Sequence, residues 1–264
     1  MDRYPGVLIG TDRSSDALAG VRIGARIAAA SGAPVRVLAV GNEDTDDEAS
    51  DDSGRPGALH EAEAILRELG VREVSLERLT GDPEDVLLEH ANAEPDSLVV
   101  VGSEGLSRAA SRLVASTSNR LAHHSRADVF FAKDPVPPAW NFVALATDGS
   151  ESSHHAVRRG LRLAGALGAT ARLITVAKTE EAGREVLDST WHALDLDAVD
   201  VDVDREVLVE SQPASAIIAA GWKYQAVAIG NRKMSGPERL LGSVANKVSH
   251  GLRTNLLLVN TTRD

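Results

Sequence analysis

The chain has 264 residues, of which 43% are hydrophobic and 25% are charged, ordinary values for a soluble globular protein of one large or two ordinary domains. The net charge of −11 argues against a nucleic-acid partner, which needs a concentrated positive surface, and the absence of cysteine excludes disulfides, Cys-ligated zinc and thiol nucleophiles. No apolar run approaches the roughly 18 residues of a membrane span, and the N-terminus lacks a signal-peptide layout, so we expect a cytoplasmic protein without a membrane partner.

The first half of the chain alternates short apolar segments with longer amphipathic ones. The apolar segments predict strands, while serine or proline starts and glycine stops delimit the predicted helices. In chain order the predicted strands are Val7–Asp12, Val35–Val40, Glu73–Leu79, Ser97–Gly102 and Asp128–Ala132. The predicted helices between them are Ser15–Ser31, Ala58–Leu69, Asp82–Ala91 and one more before the last strand.

The second half repeats this order. Its predicted strands are Val143–Asp148, Ala171–Val176, Asp202–Val209, Ala226–Gly230 and Asn255–Val259. Its predicted helices are Ser152–Leu167, Glu180–Leu194, Gln212–Trp222 and one more before the last strand. The offset between the copies is 136 positions at the first strand and 128 at the fourth, and we assign this difference to an acidic insertion at Gly41–Gly57.

Alternating strands and helices with continuously apolar strands predict the α/β class, with a doubly wound, five-stranded parallel sheet in each copy. We place the two domains at residues 1–134 and 139–264, joined by the proline-rich linker Asp134–Pro138. Ligands of such sheets bind outside the carboxyl ends of the strands, where the strand order reverses. One cleft is therefore expected in each copy.

The loop after the fourth strand of each copy carries glycine and serine in a spacing that suits an anion. Gly102 and Gly230 directly follow a buried strand, and Ser116 and Ser243 stand at the start of the next helix. Free N–H groups and the dipole at a helix start favour phosphate. Two simpler interpretations remain open: the glycines serve only a turn, and the aspartates that end each first strand, Asp12 and Asp148, cap the next helix.

These motifs resemble the universal stress protein family (UspA-like) in its tandem two-domain form, which implies a Rossmann-like fold of the adenine nucleotide alpha hydrolase type. Nucleotide-binding members have Gly, two residues, Gly, nine residues, and then Gly-Ser or Gly-Thr. The first copy keeps Gly102, Gly105 and this spacing, but has Ala115 before Ser116. The second keeps Gly230 and Gly242-Ser243, but has Lys233 at the second glycine and one residue fewer.

The resemblance implies that an adenine nucleotide, ATP or a relative with or without Mg²⁺, binds in the cleft. The strand-one aspartate would contact adenosine, the end of strand two would contact adenine through its backbone, and the loop would hold ribose and phosphates. The matching residues of the first copy are Thr11, Asp12, Val40, Gly102, Gly105, Ser116 and Thr117. Those of the second copy are Thr147, Asp148, Val176, Gly230, Arg232, Lys233, Gly242, Ser243 and Val244.

The copies depart from the family pattern in different ways, so we expect two unequal clefts. In the first, Ala115 adds a Cβ and Glu104 adds a carboxylate near the expected phosphate position. In the second, Arg232 and Lys233 add positive charge, although Lys233 either contacts phosphate or blocks the pocket.

Three functions are compared on this basis. The first is a stress-response or signalling protein that binds adenine nucleotide, the second a nucleotide-free scaffold of the same fold, and the third, with least support, a slow ATPase. We expect no catalytic residue, because the sequence has neither a Gly-x-Ser-x-Gly nor a Gly-x4-Gly-Lys-[Ser/Thr] motif. We expect no metal ligand, because the adjacent pairs His123-His124 and His154-His155 lack the i, i+4 spacing of a helical zinc site. The resemblance also implies a homodimer.

Overall fold

The computed structural model describes residues 4–41, 57–103, 117–231 and 241–261. The chain divides into two compact units, residues 3–136 and 137–264. Of the helices in the described part, none has both the length and the apolar character needed to cross a membrane.

The first unit contains five strands and four described helices. The strands are β1 (Val7–Gly10), β2 (Val35–Gly41), β3 (Val74–Thr80), β4 (Leu98–Gly102) and β5 (Asp128–Ala132). The helices are α1 (Ser15–Ser31), α2 (Ala58–Glu68), α3 (Pro83–Ala93) and α4 (Thr117–His124). All strand pairs are parallel and the spatial order is β3-β2-β1-β4-β5, with Val7 opposite both Val35 and Leu98.

The second unit repeats this topology. Its strands are β6 (Phe142–Ala146), β7 (Thr170–Ala177), β8 (Val203–Val209), β9 (Ala226–Gly230) and β10 (Asn255–Val259), in the spatial order β8-β7-β6-β9-β10 and again all parallel. Its helices are α5 (Glu151–Leu167), α6 (Glu180–Leu194), α7 (Pro213–Ala220) and α8 (Ser243–Gly251). Short 3₁₀ turns at Leu196–Ala198 and Gly221–Lys223 follow α6 and α7.

The two faces of each sheet are covered by different helices. In the first unit Ile9 points to Gly24 of α1, while the next residue, Gly10, faces Leu87 of α3. Helices α1 and α2 pack together, as do α3 and α4. The central strands are therefore buried on both faces, which explains their unbroken apolar sequence.

The first helix of each unit begins and ends through the same devices. Ser14 caps α1 by accepting a hydrogen bond from Ala17 N at 3.2 Å, and Ser150 caps α5 by accepting one from Ser153 N at 3.3 Å. Gly32 and Gly168 end these helices in the left-handed conformation that glycine adopts without strain. Helix α5 thus starts one residue earlier than the predicted Ser152.

Further predicted boundaries differ from the structure by one or two residues, and two of them have a clear cause. Strand β1 ends at Gly10 rather than Asp12, because Thr11 and Asp12 already belong to the turn that leads into α1. Helix α7 ends at Ala220 rather than Trp222, because the chain tightens into a 3₁₀ turn over Gly221–Lys223. Trp222 is consequently exposed.

Candidate functional site

A cleft of about 370 Å³ opens at the carboxyl ends of the central strands in the second unit. This volume lies within the usual range for small-molecule sites, roughly 300–1,000 Å³. The cleft lies at the switch point of the sheet, where β6 has β7 on one side and β9 on the other. The predicted site residues of this copy that the structure describes all line the cleft: Thr147, Asp148, Val176, Gly230, Gly242, Ser243 and Val244.

The remaining walls of the cleft divide into an apolar and a hydroxyl-bearing part. Ile174, Ile217 and Ile229 supply large apolar side chains. Ser150 and Ser152 line it from the start of α5. The sequence prediction named neither the isoleucines nor these serines as site residues, although it placed Ser152 at the start of the helix.

Asp148 stabilises the turn between β6 and α5 rather than capping the helix. Its Oδ1 accepts a hydrogen bond from Ser150 N at 3.0 Å, whereas the capping oxygen is Ser150 Oγ. The first copy is the same: Asp12 Oδ1 accepts from Ser14 N at 3.0 Å, and Ser14 is the cap. The capping interpretation of both aspartates is therefore wrong, and both carboxylates are exposed at the strand ends.

The hydroxyl of Thr147 is engaged in hydrogen bonds within the protein. It accepts a hydrogen bond from Gly149 N at 3.1 Å and lies 2.9 Å from Ser153 Oγ and 3.3 Å from Thr190 Oγ1. Thr175 Oγ1 donates to the Thr147 carbonyl at 2.8 Å. This network fixes the cleft wall beneath Asp148. In the first copy the equivalent Thr11 Oγ1 is buried and has no hydrogen-bond partner among the described residues.

Val176 lies past the end of the neighbouring strand. The pairing of β6 with β7 ends at Ala146–Ile174, followed by a hydrogen bond from Thr147 N to Ile174 O at 2.9 Å. Residues two apart on a strand direct their backbone groups to the same neighbour. The N–H and C=O of Val176 therefore face the region beyond β6, which is the cleft.

The N-terminus of α8 forms the opposite wall. Gly242 is the N-cap residue, and no side chain among the described residues caps this helix. The next three residues, Ser243, Val244 and Ala245, all line the cleft. The first N–H groups of a helix lack acceptors within it and carry the positive end of its dipole. Such a helix end is suited to an anion.

The strand-end glycines have a packing role. A Cβ on Gly102 would lie 2.8 Å from Ala17 N on α1, and one on Gly230 would lie 2.7 Å from Thr261 Cγ2. The contact at Gly102 is with backbone, so packing alone requires glycine there, whereas at Gly230 the methyl group of Thr261 would have to shift. Gly242 differs, because its φ of −56° and ψ of 147° are open to any residue.

The first copy is described less completely. Thr11 is buried, Asp12 is exposed, Val40 and Gly102 are half-buried at their strand ends, and Thr117 is the first residue of α4. Four predicted site residues lie outside the described residues: Gly105 and Ser116 in the first copy, and Arg232 and Lys233 in the second.

Within the described ranges, no group of three or more histidines or carboxylates is placed to hold a metal ion. His154, a member of one adjacent pair, has a perturbed titration. Burial, and then the nearby Arg158, lower the pKa of this histidine, which favours the neutral ring.

The strand order and the cleft at the switch point define a Rossmann-like α/β protein of the adenine nucleotide alpha hydrolase type, as predicted from the sequence. The family model "Universal stress protein family" matches residues 3–133 and 142–260. The chain therefore belongs to the universal stress protein family, in its tandem form.

Individual relatives and solved structures are similar to this chain. A universal stress protein of Mycobacterium tuberculosis strain H37Rv is 29% identical over 140 residues, which cover 49% of this chain and 96% of the relative. The structure of a universal stress protein from Archaeoglobus fulgidus covers 98% of this chain and 100% of that chain, with a TM-score of 0.69 and 18% identity. A universal stress protein solved in complex with cAMP is 29% identical over 50% of this chain and 99% of its own, with a TM-score of 0.43.

Proposed function

We propose that this universal stress protein binds one adenine nucleotide, ATP or a relative, in the cleft of the second copy, and acts in a stress response or in signalling. The observation that carries this proposal is the composition of the cleft. It combines apolar side chains, the backbone N–H and C=O of Val176 at a strand end, an exposed carboxylate and a helix N-terminus that no described side chain caps. These are the features that a base, a ribose and a phosphate require of one site.

The adenine ring is proposed to lie against Ile174 and Ile217, with its polar edge at the backbone of Val176. A backbone N–H and C=O facing one direction match the acceptor and donor on the edge of adenine. We expect Asp148 to accept a hydrogen bond from a ribose hydroxyl, because its exposed carboxylate lines the same cleft.

The phosphates are proposed to lie at the N-terminus of α8. Ser243 contributes its hydroxyl there, and the N–H groups of the first turn contribute the positive end of the helix dipole. Arg232 and Lys233, which precede this helix in the sequence, would add positive charge. Any Mg²⁺ would be held chiefly by the phosphates, because Asp148 is the one carboxylate among the described residues that line the cleft.

A pair of matched variants in the full-length protein tests this site. Gly242→Val places an isopropyl group at the proposed phosphate position without backbone strain, and Ala115→Val puts valine at the equivalent sequence position of the first copy. We expect Gly242→Val to weaken ATP binding by about tenfold or more, a loss of about 1.4 kcal/mol, and Ala115→Val to leave binding unchanged. Isothermal titration with ATP, AMP and cAMP, after thermal melting confirms folding, measures the effect.

Two outcomes would contradict the proposal. If both variants bind ATP like the wild type, the nucleotide lies elsewhere. If the wild-type protein releases no nucleotide on denaturation and gives no heat with any of the three ligands, the nucleotide-free scaffold becomes the better account. Steady formation of ADP would instead favour the slow ATPase.

The resemblance further supports two proposals about the whole protein, a cytoplasmic location and a homodimer. Sedimentation equilibrium tests the second, since a dimer of the 27.8 kDa chain would sediment at twice that mass.

A further inference from the structure

The two copies satisfy the same backbone N–H group in different ways. Asp134 and Thr261 occupy equivalent positions, two residues after the ends of β5 and β10. Asp134 N donates to Asp16 Oδ1 at 2.9 Å, whereas Thr261 N donates to Asn231 Oδ1 at 3.0 Å. The acceptor is therefore a carboxylate in the first copy and a neutral amide in the second.

The two acceptors lie on different elements. At each of these two positions the other copy has a serine. Asp16 is the second residue of α1, and the equivalent residue of α5 is Ser152. Asn231 follows the glycine that ends β9, and the equivalent residue after β4 is Ser103. Ser103 Oγ donates to Asp16 Oδ2 at 2.6 Å. One copy thus has the pair Asp16–Ser103 where the other has Ser152–Asn231.

This exchange changes the charge at the mouth of the cleft. Ser152 lines the cleft of the second copy, and its Oγ lies 3.1 Å from Ser150 Oγ. The half-buried Asp16 places a negative charge at the corresponding position of the first copy. Glu151, the neighbour of Ser152, is exposed and is not among the described lining residues. A carboxylate repels a nearby phosphate, whereas a hydroxyl and an amide do not.

We propose that the pair Ser152–Asn231 determines that the second cleft accepts an anionic ligand, and that the pair Asp16–Ser103 excludes such a ligand from the first. The proposal rests on the proposed function, because it concerns the phosphate end of the same nucleotide. It adds specificity-determining residues that lie outside the glycine-containing loops. Asn231 has a positioning role. Its neutral amide accepts the hydrogen bond from Thr261 N, so that no carboxylate is needed at position 152.

The test transfers the first copy's arrangement into the second in the full-length protein. The variant Ser152→Asp/Asn231→Ser reproduces the carboxylate pair, and Ser152→Asn/Asn231→Ser is its control of equal size without the charge. Calorimetric titration with ATP and with adenosine separates charge from shape. We expect the aspartate variant to bind ATP at least about tenfold more weakly than the asparagine variant, with adenosine affinity differing less than about threefold. High salt should reduce the ATP difference.

Three results decide between the possibilities. Equal ATP affinity in the two variants, while the wild type binds ATP, overturns the inference and leaves the proposed function intact. An equal loss of ATP and adenosine in the aspartate variant also overturns it, because the effect would then be steric. Failure of the wild type to bind ATP overturns the proposed function and the inference with it. Melting curves establish that the variants fold, and the single changes Ser152→Asp and Ser152→Asn replace the doubles if they do not.

Discussion

Glu206 on β8 connects strand and loop through several polar contacts. Its carboxylate accepts hydrogen bonds from Lys223 Nζ at 2.6 Å and Tyr224 OH at 2.9 Å, and Arg172 lies 3.7 Å away. Burial by itself would raise the pKa of Glu206, but the hydrogen bonds from Lys223 and Tyr224 outweigh it and hold the pKa below its usual value. Burial, followed by the bond to Glu206, raises the pKa of Tyr224 above its usual range.

The lowered pKa predicts how this contact responds to acid. Because the folded state favours ionised Glu206, the stabilisation is present above the ordinary pKa of 4.5 and is lost as the pH falls through the lower folded value. We expect Glu206→Gln to reduce the free energy of unfolding by about 1–3 kcal/mol at pH 7. The difference from wild type should shrink below pH 4.5 in urea unfolding measured from pH 7 to pH 3. A difference that stays constant over this range would contradict the assignment.

At the scale of elements, the first helix of each unit approaches the sheet through glycine. A Cβ on Gly24 would lie 2.8 Å from Ile9 Cδ1. One on Gly160 would clash with Leu145 Cδ2 and lie 2.9 Å from Ala228 Cβ. Glycine inside a helix ordinarily costs about 1 kcal/mol relative to alanine. Its presence at equivalent positions of α1 and α5 indicates that close packing on the central strands requires it.

This packing reverses the usual effect of a helix glycine. We expect Gly160→Ala to destabilise the protein by about 1–3 kcal/mol, because the rigid Ala228 Cβ cannot move aside. Gly20→Ala is the matched control, since its added Cβ would have ordinary contacts of 3.5 Å or more and should be neutral or stabilise by up to about 1 kcal/mol. Urea unfolding of both variants measures the signs. A stabilising Gly160→Ala would show that the helix can shift outward.

Local sequence signals predict most of the elements, and the fold class derived from them is confirmed. Helix α6 and strand β9 have the predicted bounds because their starts and stops are marked by neighbouring residues. The end of α7 differs from the prediction, because Gly221 stays in the right-handed helical region and leads into a 3₁₀ turn that the local sequence does not mark. At the site, the Gly-Ser helix start is visible in the sequence. The exchange of acceptors between Asp16 and Asn231 is not, since it requires knowing which loops meet.

At the scale of the whole molecule, the two copies share backbone hydrogen bonds and turn conformations but differ in several side chains near the cleft. Thr11 N bonds to Leu38 O at 3.0 Å, as Thr147 N bonds to Ile174 O. Even the left-handed residue in the first loop recurs, at Arg13 with φ 67° and at Gly149 with φ 79°. The charge near the cleft differs between the copies, because Asp16 of the first copy is replaced by Ser152 in the second. Two similar folds are therefore expected to contribute one nucleotide site, not two.

The stoichiometry of ATP binding to the intact chain distinguishes one nucleotide site from two. Nucleotide-free protein of known concentration would be titrated with ATP in a calorimeter until saturation. We expect close to one ATP per chain. Two ATP per chain would show that the first copy binds despite Asp16, and no binding would show that the cleft of the second copy serves another purpose.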